Sequence, residues 1–126
     1  MALVPGLRAA FDHTVADQDT AVALGSGDVP VLATPRVLAL AERATVAAVA
    51  GAIGPGATTV GVRVELEHLA ASVVGATMRV SAELERVDGR VLEFAVELRD
   101  GARLAARGHV TRVLVDRDAF LATAAR

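Results

Sequence analysis

The sequence predicts an α+β fold in which a curved antiparallel five-stranded sheet wraps one long central helix. Three observations carry this. A largely apolar segment of helical spacing runs over 37–53 and carries charge only at Glu42 and Arg43. The segments that follow alternate apolar and polar residues with period two, which marks half-buried strands. Two Asp-Gly pairs, Asp88-Gly89 and Asp100-Gly101, separate the last three of them. Asp-Gly between alternating runs favours a tight hairpin, here expected as type I′ with positive φ at both central residues.

The first strand is expected in "FDHTVAD" (11–17), with Phe11, His13 and Val15 on one face. "LGSGDVP" (24–30), rich in glycine and closed by proline, reads as a loop. The helix then opens at "ATPRVLALAERA" (33–44), with Thr34 as N-cap and Pro35 at the first helical position, where a missing N–H costs nothing. It is expected to run to Ile53 and stop at Gly54-Pro55-Gly56. A helix so apolar on every side is expected to be buried on most of them.

In the next strand Val60, Val62, Val64, Leu66 and His68 share one face, and Gly61, Arg63, Glu65 and Glu67 the other. Met78, Val80, Ala82 and Leu84 alternate against Arg79, Ser81, Glu83 and Glu85, and Leu92, Phe94, Val96 and Leu98 against Glu93, Ala95, Glu97 and Arg99. A last strand over 102–115 completes a three-stranded meander, and 118–126 suits a short terminal helix. One helix against a strongly curved antiparallel sheet is the hotdog arrangement.

At 126 residues the chain is expected to form a single domain. Fifteen acids against 13 bases, no basic tract and only three aromatic residues, all Phe, speak against binding of nucleic acid. The absence of cysteine removes disulfides, thiolate metal sites and a cysteine nucleophile. "MALVPGLRAAF" lacks the pattern of a secretion signal, and the longest uncharged apolar run, 44–53, is too short to cross a bilayer, so no membrane partner and a cytoplasmic location are expected. The hydrophobic fraction of 53% is high for so short a chain and points to an oligomer.

Few residues suit chemistry. Glu42 shares a helix face with Leu38, Ala41, Thr45, Val46 and Val49, while Arg43 points about 100° away. It is either a working acid or a rim carboxylate paired with an arginine, because an unpaired buried carboxylate is costly. His68 ends an aliphatic row, where a lone histidine is either a satisfied core residue or a catalyst. His13 reads as structural and His109 as solvated. Arg112 falls in the apolar row with Leu104, Ala106, Val110 and Leu114, either as a buried counter-ion or turned outwards by a bulge. No phosphate-binding glycine loop, metal-ligand cluster or nucleophile elbow is present, and no cofactor is implied.

Together "TAVALGSGDVPVLATPRVLALAERA" and "VELEHLAASVVG" resemble the hotdog-fold thioesterases of the fluoroacetyl-CoA thioesterase type, over roughly 11–115 of the chain. The spacing carries the likeness: Thr34, then Glu42 eight residues on, then His68 twenty-six further. The resemblance implies hydrolysis of acyl-CoA thioesters by a catalytic set of Thr34, Glu42 and His68. In that set Glu42 would act as general base or nucleophile, Thr34 would orient Glu42 or a water, and His68 would assist proton transfer or hydrogen-bond the developing charge. It implies further roles for Gly61 and Arg112 at the substrate, and a homodimer or higher oligomer with active sites near the subunit interface. Family members specific for fluoroacetate carry an aromatic lid, whereas "LGSGDVPVLA" before Thr34 contains no aromatic residue, which implies a different acyl group. Arg36, Arg43, Arg63 and Arg79 are candidates for the CoA phosphates. The alternative is a non-catalytic hotdog module that binds an acyl-CoA or another small apolar ligand. A hydratase or dehydratase is the weaker third, since no Asp/His arrangement opens the helix.

Overall fold

The computed structural model describes residues 2–126. Its elements are β1 (Arg8–Thr14), α1 (Ala21–Leu24), α2 (Thr34–Val49), β2 (Ala57–His68), β3 (Thr77–Asp88), β4 (Val91–Asp100), β5 (Arg103–Asp116) and α3 (Arg117–Ala124). The five strands form one antiparallel sheet in the order β1-β3-β4-β5-β2. The meander β3-β4-β5 is as expected, and β1 and β2 are the sheet's two edges.

Both hairpins have two-residue loops, since Asp88 pairs with Val91 and Asp100 with Arg103. Gly89 and Gly101 lead these loops with φ of 60° and 62°, and no non-glycine residue among those described has positive φ. Positive φ at the first central position alone is the type II′ pattern, so the expected type I′ turn is corrected. The glycine meets the one left-handed position, and the preceding aspartate stays in the strand.

Helix α2 lies across the concave face and touches all five strands, β3 most of all. Ala41, Ala44 and Ala48 let it approach the sheet closely, and Leu84, Leu92, Phe94 and Leu98 fill the space beneath. The expected N-cap is also corrected. Ala33 caps α2 and Thr34 is its first helical residue, so the threonine hydroxyl is free to serve another partner. The helix ends at Val49, four residues before Ile53. It is less enclosed than its composition suggests, because Ala39, Val46 and Ala47 are exposed. Arg43 leaves the Glu42 face as its spacing requires and stacks on Phe11, 4.2 Å from the ring centre.

The strict alternation expected along β2 fails at one place. Gly61 pairs with Arg112 and Arg63 with Thr111, which leaves Val62 as an extra, bulged residue. The bulge reverses the parity on its amino-terminal side. Thr59 and Gly61 face inwards there, Val62 is 59% exposed, and beyond the bulge Val64, Leu66 and His68 face the helix as expected. Among the described residues no helix is long and apolar enough to cross a membrane.

Candidate active site

The β2 bulge determines what surrounds Glu42. With the parity reversed, Gly61 comes directly under the helix, and a Cβ built on it would run into Glu42 Oε2. The glycine is required by space and not by its backbone angle. Opposite Gly61, Arg112 is 7% exposed and donates from Nη1 to Glu42 Oε2 at 2.9 Å. Its other donors are fixed by Thr59, with Nε to Oγ1 at 2.9 Å and Nη2 to the carbonyl at 3.0 Å. Arg112 is therefore the buried counter-ion and not the outward-turned residue, and Glu42, with a third of its side chain exposed, is held with one face to solvent. Thr59 had no sequence signal, since its role follows from a bulge that no alternation pattern announces.

Thr34 and His68 form a second pair. Thr34 Oγ1 lies 2.8 Å from His68 Nδ1, joining the first turn of α2 to the end of β2. Burial lowers the His68 pKa below the usual histidine value, against a weaker opposing effect of the Ala70 backbone. A neutral ring with its proton on Nε2 accepts the Thr34 hydroxyl at Nδ1. Its Nε2 is buried without a hydrogen bond of good geometry. Beside the pair lies a groove of about 210 Å³ lined by Val31, His68, Leu69, Ala70 and Ala71. Two larger hollows, of about 570 and 530 Å³, contain none of these residues.

The structure thus brings Thr34 to His68, and Glu42 to Gly61 and Arg112, as two separate clusters. Eight residues of helix place Thr34 and Glu42 about 12 Å apart along the axis. Thr34 hydrogen-bonds to the histidine and not to the acid. His13 is structural as expected, 2.8 Å from Asp19 Oδ2, and His109 is exposed, 3.7 Å from Glu85. Asp19 is a buried acid to which the sequence reading gave no role. The four arginines considered for CoA each have a partner within the chain: Asp19 for Arg36, Phe11 for Arg43, Glu65 for Arg63 and Asp12 for Arg79. Among the described residues no cluster of side chains could hold a metal ion.

Two outcomes are expected from this geometry. Gly61→Ala should push the Glu42 carboxylate out of place and lower kcat by about 10- to 100-fold with the fold retained, as steady-state kinetics and circular dichroism would register. The lowered His68 pKa fixes the second. An activity that needs the neutral ring should stay level as pH falls to about 6.5 and decline only below it. Stability moves the same way, because the unfolded chain takes up the His68 proton first and gains on the native state as pH falls through that window. Rate and melting profiles between pH 5 and 8 would measure both.

A sequence model of the fluoroacetyl-CoA-specific thioesterase family FlK matches residues 15–118. The fluoroacetyl-CoA thioesterase of Streptantibioticus cattleyicolor is 35% identical over 90 residues, which are 71% of this chain and 65% of that protein. The chain therefore spans about two thirds of that curated relative. The structure of the fluoroacetyl-CoA thioesterase FlK superposes with a TM-score of 0.92 at 30% identity, covering 98% of this chain and 96% of FlK. A FlK variant in complex with fluoroacetate and CoA superposes with a TM-score of 0.87 at 31% identity, over 94% and 99% of the two chains. With a family match over most of its length and these structures on its own sheet and helix, the chain belongs to the fluoroacetyl-CoA-specific thioesterase family and has the hotdog fold.

Proposed function

We propose that this protein is an acyl-CoA thioesterase that works as a homodimer, each active site combining Glu42 of one protomer with the Thr34–His68 pair of its partner. The observation that carries this reading is the division of the site into two clusters at different levels of one helix. A two-fold axis that sets two copies of α2 antiparallel brings the Glu42 level of one helix toward the Thr34 level of the other. The surface such a contact would cover is uncovered in the single chain, with Val46 on α2 46% exposed and Val62 on the edge strand β2 59% exposed.

In this site Glu42 is the general base on a water or the nucleophile, aimed by its hydrogen bond from Arg112. The Thr34 oxygen, its proton given to His68 Nδ1, accepts from the attacking water, the neutral His68 ring carries its donor at Nε2 for the thioester carbonyl, and the amino-terminal end of α2 favours the developing negative charge. CoA leaves as a stable thiolate, so no strong acid is needed at the sulfur. With CoA thioesters as substrate, the setting is cytoplasmic.

The acyl group is aliphatic and of small or medium size. Segment 20–33 contains no aromatic residue, and the groove beside the pair is lined by Val31, Leu69, Ala70 and Ala71, which suits saturated carbon. Thiol release from fluoroacetyl-, acetyl-, branched, medium-chain and aromatic acyl-CoAs tests this. Turnover highest on aliphatic chains is expected. A preference for fluoroacetyl-CoA would reverse the substrate assignment, and no turnover by a folded dimer would favour a non-catalytic module that binds acyl-CoA.

A further inference from the structure

We infer that Asp19 is a positioning residue for the Thr34–His68 pair, gripping the start of α2 with its carboxylate and its backbone carbonyl together. The inference rests on the reading of Thr34 and His68 as part of the active site.

Asp19 is only 3% exposed, in the short turn between β1 and α1. Its Oδ2 accepts from the Ala16 N–H at 2.8 Å and lies 2.8 Å from His13 Nε2, while Oδ1 lies 3.1 Å from Arg36 Nε. Its carbonyl accepts from the N–H of Ala33 at 2.9 Å. Ala33 and Arg36 stand on either side of Thr34 in the chain. One residue therefore hydrogen-bonds the backbone immediately before Thr34 and forms an ion pair, without hydrogen-bond geometry, with the side chain two residues after it. This matters because Thr34 itself is exposed, so packing does not set its hydroxyl; the direction toward His68 is inherited from the turn that carries it.

The chemistry of Asp19 suits such a clamp. Burial alone would raise its pKa. The Ala16 N–H, the bond and charge of His13 and the charge of Arg36 outweigh burial and hold the carboxyl below the usual aspartate value. The ionised form is thus the native one, and it faces a cation from α2 and an imidazole from β1. An amide of the same shape keeps the Ala16 contact but loses its attraction for Arg36.

Asp19→Asn and Arg36→Gln test the clamp, each read by kcat and KM on an acyl-CoA that wild type hydrolyses, by NMR titration of the His68 imidazole, and by thermal melting. Both variants are expected to lose about tenfold or more in kcat with KM within about twofold. The His68 titration should move up toward the ordinary histidine value as the ring loses its fixed partner and gains water. An Asp19 that only stabilises the fold would lower the melting temperature and leave kcat per folded molecule and the His68 titration at wild-type values. That result overturns the inference. Should Asp19→Asn fail to fold, Arg36→Gln decides by the same readouts, since its side chain is a third exposed. The titration needs no substrate, so a wild type without turnover would refute the proposed activity and leave this test standing.

Discussion

Glu42→Gln is expected to lower kcat by about a thousandfold, the scale of a lost general base, with KM changed by less than about threefold. Glutamine keeps an oxygen to accept from Arg112 Nη1, so the 2.9 Å contact and the packing under α2 survive. It has no charge to take a proton from water and no oxygen anion to attack a thioester. The expected stability change is correspondingly small, under about 1 kcal/mol, because Glu42 is a third exposed and keeps its hydrogen bond. Rate loss without stability loss separates a working acid from a carboxylate that merely completes an ion pair. Stopped-assay thiol release and a melting curve on one preparation would measure both.

The second large effect is expected at Arg112. Arg112→Met fills a similar volume but removes three donors at once, and leaves Glu42 Oε2, Thr59 Oγ1 and the Thr59 carbonyl without them. Two of those oxygens belong to a buried residue. Stranding buried acceptors while unpairing a carboxylate should cost about 3 kcal/mol, or a fall of about 10 °C in melting temperature. Turnover should fall as well, since Glu42 loses the partner that aims it. Arg112→Lys should recover little of either, because an ammonium cannot reproduce the guanidinium fork that spans Glu42 and Thr59. Thermal melting of the two variants against wild type checks this.

These two residues show how far the sequence was legible. The period-two rows of β3 and β4, the hairpins at Gly89 and Gly101 and the apolar helix were all plain, because each is written in neighbouring residues. Glu42 stood out because it interrupts that helix. What surrounds Glu42 was not legible, since the bulge at Val62 comes from pairing with β5, and it alone turns Thr59 and Gly61 inwards. The one local hint was a glycine inside a strand. The N-cap falls at Ala33, one residue before the Thr34 that the sequence suggests. The residue type of Thr34 suits an N-cap, but Ala33 takes that place because its N–H is engaged by Asp19, a contact across fourteen residues of chain. Asp19 escaped for the same cause: its partners come from β1 and α2, and no spacing rule links them.

The central claim is a site shared between two protomers, and complementation between two inactive chains tests it most directly. Glu42→Gln and His68→Ala chains, each expected to be nearly inactive alone, would be mixed in equal amounts, dissociated and reassociated, and assayed for thiol release. Half the dimers should be mixed, and each mixed dimer should hold one intact site, made of Glu42 from one chain and Thr34 and His68 from the other. The account therefore predicts recovery to about a quarter of wild-type activity. A mixture that stays as inactive as its components, with mixed dimers confirmed, would contradict it and place all three residues of each working site within one chain.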